Sequence, residues 1–171
     1  MKKGNTAMAE PVISIRPGRF EDIPVETALN HDVGWCYDEA NMVAEYHDDS
    51  YEPSSVLIAE VDGQVAGKLE LYIAWKSVYG KFGVIRRFVV HPDHRSQGVG
   101  RVLFDAATDL ARETGCSFIE LSVDVTNPIP HSFYHRQGFL EDRVEVMMRK
   151  PLTDQDSSSN YVAQREEWKT D

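Results

Sequence analysis

The run Val89-Val90-His91-Pro92-Asp93-His94-Arg95-Ser96-Gln97-Gly98-Val99-Gly100 carries the sharpest chemical signal in the chain. It reads as a strand end, a turn, and a helix N-terminus holding two glycines. The first amides of a helix lack intrahelical acceptors, and the helix dipole favours an anion there. Glycine lets such an anion approach the main chain closely, and Arg95 and Arg101 place positive charge at both ends of the loop. The chemistry is that of a phosphate or pyrophosphate cradle. A nucleotide P-loop needs Lys-Ser or Lys-Thr after its last glycine, whereas Arg101-Val102 follows here. A dinucleotide fingerprint needs a third glycine where Leu103 stands, although Asp124 falls roughly where a ribose-binding acid belongs.

A second run, Asn127-Pro128-Ile129-Pro130-His131-Ser132-Phe133-Tyr134-His135-Arg136-Gln137-Gly138-Phe139, groups an amide, a phenol and two imidazoles. His131 and His135 have helical i, i+4 spacing, and His91 and His94 flank the first loop. The second run lacks the Glu of a metalloprotease helix and shows no third ligand, so no metal is expected. Cys36 and Cys116 are far apart in unlike contexts, which suggests neither a disulfide framework nor a zinc site.

The elements that must position these groups follow from periodicity. Val12–Arg16 alternates as a strand, stopped by Pro17-Gly18. Asp22 and Pro24 start a helix. Asn30–Tyr37 reads as a loop, and Asp38 caps a second helix through Tyr46. Val56–Val61 and Val65–Trp75 are strands joined by Asp62-Gly63, a strong hairpin signal. Gly80 and Gly83 bracket a further turn before a strand over Val84–Val90. Val99, Val102, Leu103, Ala106, Ala107, Leu110 and Ala111 make the clearest amphipathic helix, stopped by Gly115. Phe118–Val123 is the next strand, and strand-helix-strand implies a right-handed crossover and a parallel pair. His131–Gln137 is a short helix closed by Gly138, and Val144–Arg149 is a last strand. Several antiparallel strands thus precede the glycine loop, which argues against a doubly wound sheet. The expected organisation is a flexible lead over 1–11, a single domain over 12–151, and a polar tail over 152–171 with one helical turn near Tyr161–Trp168.

The chain has 171 residues and a net charge of −10, with 18 Lys plus Arg against 28 Asp plus Glu. That length suits one compact domain with a core of its own. Hydrophobic residues at 42% and charged residues at 27% describe a globular chain rather than a disordered one. The acidic field argues against a partner such as duplex nucleic acid, which needs a basic face. No stretch approaches the roughly 20 apolar residues of a membrane span, and no apolar run follows Lys2-Lys3 as a secretory signal requires. A soluble cytoplasmic protein is expected.

Taken together, Arg95-x-x-Gly98-x-Gly100 after Val-x-Pro, and Asn127 followed by Phe133-Tyr134 and Gly138-Phe139, resemble the two conserved blocks of the GNAT superfamily of N-acetyltransferases. The order of elements is similar from about Ile13 to Arg149. The resemblance implies an α/β (α+β) fold: a mixed, mostly antiparallel sheet with a central splayed parallel pair, flanked by helices. It implies acetyl-CoA as cosubstrate, lying in the splay. The main chain of Phe88, Val89 and Val90 would pair with the pantetheine arm and hold the thioester carbonyl. Arg95, Ser96, Gln97, Gly98, Val99, Gly100 and Arg101 would wrap the pyrophosphate, Asn127 would bond the pantetheine arm, and Tyr134 would sit near the sulfur and protonate the departing thiolate. A phenol can give that proton while main-chain N–H groups steady the oxyanion.

Many relatives carry a Glu on the strand before the loop as general base, but Val84-Ile85-Arg86-Arg87-Phe88 has no carboxylate. Glu70, Asp124, His91 and a water relay are the alternatives, with Glu70 taken first. The resemblance further implies an acyltransferase that moves acetyl to the primary amine of a small-molecule or peptide acceptor by direct attack in a ternary complex. Homodimers are common in that family. A non-catalytic acyl-CoA sensor is the alternative. The acceptor side would lie over the first two helices, where His31, Asp32, Trp35, Tyr37, Asp38, Glu39, Glu45, Tyr46, Asp48 and Asp49 mix acids with aromatics. That mixture suits a cationic amine.

Overall fold

The computed structural model describes residues 12–35, 37–49, 56–126, 128–148 and 150. The chain divides into two compact units, Met1–Asp124 and Val125–Asp171. Cys36, Asn127, Arg149, the lead and the tail lie outside the described residues.

In the first unit β1 (Ile13–Pro17), β2 (Val56–Val61), β3 (Gln64–Lys76), β4 (Gly80–Val90) and β5 (Ile119–Leu121) form one sheet in the order β1-β2-β3-β4-β5. The first four pair antiparallel, and β5 pairs parallel to β4. The mixed sheet is the expected one. Among the described residues, however, the parallel pair ends the sheet instead of sitting at its centre. The β2–β3 turn has Asp62 at φ 50° and Gly63 at φ 81°. Two positive φ values make the tight turn whose twist matches a hairpin.

One glycine expectation fails. Gly80, at φ 76°, does close the β3–β4 turn, but Gly83 lies inside β4. A Cβ on Gly83 would meet Leu71 Cδ1 at 2.9 Å and Ile119 Cγ1 at 3.4 Å. This glycine serves close packing, not chain reversal.

Among the described residues of this unit the α-helices are α1 (Ile23–Asp32), α2 (Glu39–Tyr46) and α3 (Val99–Glu113). α3 buries Val99, Leu103, Phe104, Ala107 and Ala111 and packs along β1 to β4. It ends with Gly115 N–H donating to the Arg112 carbonyl and Cys116 N–H to the Ala111 carbonyl, at 3.0 and 2.9 Å. That double closure needs the left-handed residue supplied by Gly115, at φ 79°. Asp38 caps α2 as expected, its carboxylate accepting from Asn41 N–H at 2.9 Å. Asp22 begins α1 differently. Its carboxylate takes two hydrogen bonds from the Arg16 guanidinium at 2.7 and 2.8 Å, which, with Arg19 N–H, hold it below the usual carboxylate range. α1 is therefore pinned to β1 by charge.

The second unit holds α4 (Pro128–Arg136), a turn longer at its start than the periodicity suggests because Pro128 opens it. Of the strand expected over Val144–Arg149, the described residues Val144–Met148 have no sheet pairing, and Val144, Val146, Met147 and Met148 are exposed. The strand expected over Phe118–Val123 shortens to Ile119–Leu121. No helix among the described residues is long and apolar enough to cross a membrane.

Candidate active site

β4 delivers the chain to the glycine loop. His91 N–H donates to the Ala66 carbonyl at 2.9 Å, and His91 Nδ1 accepts from Asp93 N–H at 3.2 Å. A single helical turn over Pro92–His94 follows. Ser96 (φ 62°) and Gly98 (φ 90°) then take left-handed conformations, and Gly98 is the residue at which α3 begins. A Cβ there would meet only Ile13 Cδ1 at 3.9 Å, so the glycine is required by its φ and not by crowding. No side chain caps this end of α3, and no acid stands in its first turn. Arg95, Ser96, Gln97, Gly98 and Arg101 are exposed, Gly100 is half-buried, and Val99 is fully buried as the anchor. Gln97 Nε2 donates to the Asp93 carbonyl at 2.8 Å and Arg95 Nε to the Val90 carbonyl at 3.3 Å. The loop is thus held by its own side chains, with the positive end of a helix dipole open to solvent.

The strand before it is irregular at a telling place. β3–β4 register shifts between Lys68↔Val89 and Glu70↔Arg86, and Arg87 has φ 45°. This is a bulge with its extra residue on β4. The parallel pairing with β5 runs only from Gly83↔Ile119 to Ile85↔Leu121. Val89 and Val90 therefore have sheet partners on the β3 side, Lys68 and Gly67, Phe88 lies in the bulge, and no β5 residue pairs with the three on the other side. A strand edge that diverges from its neighbour offers main-chain groups to an extended ligand.

Beside this segment lies a shallow indentation open to solvent, lined by residues of α1, α2, β2, β3 and β4 that include Glu26, Glu45, Lys68, Glu70 and Arg87. Lys68 is 2% exposed and its Nζ donates to Glu26 Oε2 at 2.8 Å. Arg87 makes a fork with Glu45 at 2.8 and 2.7 Å, and its Nε lies 3.5 Å from Glu70 Oε2. Both cations also sit over the Tyr37 ring, at 5.8 and 5.4 Å from its centroid. Burial raises the Glu70 carboxyl, against the opposing pull of Arg87. Burial also disfavours charge on Arg87, but its hydrogen bonds to Glu45 and the Glu70 charge outweigh it and keep the guanidinium protonated. Glu70 Oε2 is buried with no hydrogen bond, so one carboxylate oxygen of the group is without a donor. Arg86 pairs across the strands with Glu70, stacks over Tyr72 at 4.6 Å and adds its charge to the field on Glu70, so the bulge overrides the alternation that would send two adjacent arginines to opposite faces.

In the second unit Tyr134 packs against Phe133 and Phe139, with ring centroids 5.4 and 5.8 Å away. Burial raises its phenol above the ordinary range, which keeps it protonated and able to donate.

The predicted residues thus fall into place unevenly. Phe88 through Arg101 form one continuous segment of the first unit, anchored by buried Val89 and Val99, with Glu70 on the neighbouring strand. Asp124 is exposed beyond the end of β5, and His91 is used in the loop turn and lies 3.4 Å from Asp32. Glu26 and Lys68 were missed. The available signal was the inward stripe of α1, Ile23-Glu26-Thr27-Asn30 at i, i+3, i+4 and i+7, which is buried yet mostly polar. A polar inward face needs partners from the sheet.

Residues 23–139 match the Acetyltransferase (GNAT) family. The chain is 33% identical over 124 residues to an aminoglycoside N(6')-acetyltransferase type 1 of Klebsiella aerogenes, covering 70% of this chain and 82% of that one. It is 31% identical over 101 residues to a mycothiol acetyltransferase of Clavibacter sepedonicus, 58% of this chain and 32% of the other. An aminoglycoside antibiotic 6'-N-acetyltransferase from Acinetobacter haemolyticus, solved without ligand, aligns with a TM-score of 0.68 at 25% identity, over 82% of this chain and 99% of that one. An aminoglycoside N-acetyltransferase in complex with CoA shares the fold, with a TM-score of 0.70 at 20% identity over 82% and 95% of the two chains. The chain belongs to the GNAT family.

Proposed function

We propose that this enzyme moves the acetyl group of acetyl-CoA to a primary amine by direct attack within a ternary complex. The observation that carries this reading is the continuity of two features. The segment Phe88–Val90, beyond the end of the β5 pairing, runs straight into the uncapped N-terminus of α3. An extended thioester arm suits the first, and its pyrophosphate suits the second. Arg95 and Arg101 add local positive charge within an acidic chain, and Asn127 holds the arm. A solved neighbour in complex with CoA supports the cosubstrate.

In the reaction the amine nitrogen bonds to the acetyl carbon and the C–S bond breaks. Glu70 takes the proton from the attacking nitrogen, and Tyr134 gives one to the CoA thiolate. Main-chain N–H groups of the bulged strand steady the oxyanion, and holding the amine against the carbonyl supplies much of the rate. The acceptor is a cationic amine. Three carboxylates, Glu26, Glu45 and Glu70, face two cations, Lys68 and Arg87, so the pocket has one carboxylate in surplus. The Klebsiella relative's name makes amino sugars the first class to try.

Thiol release on mixing acetyl-CoA with polyamines, amino sugars, amino acids and peptide N-termini tests this. Turnover is expected with the polycationic amines. Tight CoA binding with no turnover across the panel identifies a non-catalytic acyl-CoA sensor instead. Tyr134→Phe should lower kcat by about tenfold with CoA affinity nearly unchanged. The loss is modest for an acid because a thiol ionises near pH 8.5 and leaves without much help. Equal rates in variant and parent remove Tyr134 from the acid role. Gly98→Trp forces a bulky L-residue to φ 90° and fills the pyrophosphate cradle. Calorimetry should show CoA affinity reduced by at least ~10-fold (about 1.4 kcal/mol), and unchanged affinity refutes the loop assignment.

A further inference from the structure

His131 and His135 stand one turn apart on α4 and so share a face of that helix. The helix is closed by Gly138 at φ 87°. Gly138 N–H donates to the His135 carbonyl and Phe139 N–H to the Tyr134 carbonyl, both at 3.0 Å. This closure folds the following chain back over the last turn. It has two chemical consequences. The Phe139 carbonyl comes within 3.2 Å of His135 Nδ1. A carbonyl can only accept, so Nδ1 carries the proton and Nε2 is the nitrogen turned to the carboxylate, whose lone pair the neutral ring can give to a metal. The Glu141 carboxylate meanwhile reaches both rings: Oε1 lies 3.4 Å from His135 Nε2 and 3.7 Å from His131 Nδ1.

We propose that His131, His135 and Glu141 bind one divalent transition-metal ion of the zinc type. The three donor atoms all lie within 4.8 Å of one another. At bond lengths of ~2.0–2.1 Å the corners of a tetrahedral site are separated by about 3.3 Å, so the two imidazole–carboxylate edges already approach that size. Two imidazoles and a carboxylate suit zinc, nickel or copper, whereas magnesium and calcium prefer all-oxygen shells. A ligating imidazole ordinarily donates its other N–H to a carbonyl or carboxylate, and His135 does so to Phe139. His135 and Glu141 side chains are 51% and 73% exposed, which leaves a path for the ion and an outward position for water. The sequence pattern showed only the two histidines. The third ligand comes from beyond the Gly138 turn. A bound ion ties Glu141 to α4 and reinforces the turn on which Tyr134 and Phe139 pack. The role is structural, and no catalytic step passes through the ion.

The test uses the full chain freed of any affinity tag. Equilibrium dialysis against micromolar zinc should find one ion per chain, and none should be retained from magnesium. His135→Gln and Glu141→Gln should each weaken zinc binding by ~10-fold or more. Both residues are largely exposed, so unchanged circular dichroism is expected to exclude misfolding. Cobalt substitution should give visible bands of a nitrogen–oxygen shell. No zinc uptake, uptake untouched by both substitutions (as from His91 and His94), or a thiolate-to-cobalt band from a cysteine overturns the proposal.

Discussion

Replacing Glu70 by Gln should lower kcat by about 10²-fold, the usual contribution of a positioned general base, while leaving CoA affinity within a factor of two or so. The argument rests on where this carboxylate sits. It is buried on β3, opposite Arg86 and one bulge away from the main-chain segment proposed to hold the thioester. One of its oxygens lacks any hydrogen-bond donor. Burial raises its pKa, with Arg87 opposing, so it accepts a proton more readily than a surface carboxylate. In the parent, kcat at saturating acceptor should rise with pH as Glu70 ionises, above the ordinary carboxylate range, and the variant should lose that limb. The stability effect has the opposite sign. A carboxyl whose folded pKa is raised binds its proton more tightly folded than unfolded. Its contribution is complete below the unfolded value and is lost as pH rises through the folded one. Ionised Glu70 therefore costs stability at neutral pH, and Glu70→Gln should melt at or above the parent temperature. A slower but no less stable enzyme marks a proton acceptor. A variant that is equally fast refutes the base assignment. One that is slow, unstable and unchanged in pH profile marks a merely structural residue.

Lys68→Met should be the most destabilising single substitution proposed for this protein. Lys68 and Glu26 side chains are only 2% and 10% exposed and meet at 2.8 Å. Removing the cation strands Glu26 as a buried, unpaired charge, which costs about 3–5 kcal/mol. For a chain of this size that corresponds to a fall of roughly 6–20 °C in Tm. The double variant Glu26→Leu with Lys68→Met removes both charges and should recover most of the loss, because a buried pair often contributes little over an apolar replacement of similar volume. Thermal unfolding of the three variants closes the cycle. If the double variant is as unstable as Lys68→Met alone, the stranded charge is not the cause. The pair also bears on the site, since it fixes α1 against β3 along one wall of the acidic pocket.

Some of this was legible residue by residue. Asp62-Gly63, Asp38, Gly98, Gly115 and Gly138 each act within a few positions of themselves, by a turn geometry, a cap or a left-handed φ, and each appears where its type predicts. The apolar stripe of α3 and the uncapped glycine start of that helix were equally plain. Gly83 misled because a glycine required for close packing looks the same as one required for a turn. Val144–Arg149 misled because alternation states only that a strand is compatible with the residues, whereas a strand exists only if another strand accepts its hydrogen bonds.

The sequence by itself indicated the family, through two blocks in the right order, and set the expectation of an anionic ligand, through two glycines and two arginines at a helix start. It also placed the acids near the first two helices. The tertiary structure alone decided which charges meet: Glu26 with Lys68 and Glu45 with Arg87, each 42 residues apart, and Glu141 with two histidines across a reversed chain. It alone placed the bulge at Arg87 and ended the β5 pairing at Leu121. The reason is physical. Caps, turns and helical stripes are settled by neighbours along the backbone. Register, ion pairing and the pKa of a buried carboxylate depend on what the folded chain brings alongside, and on how much water it removes.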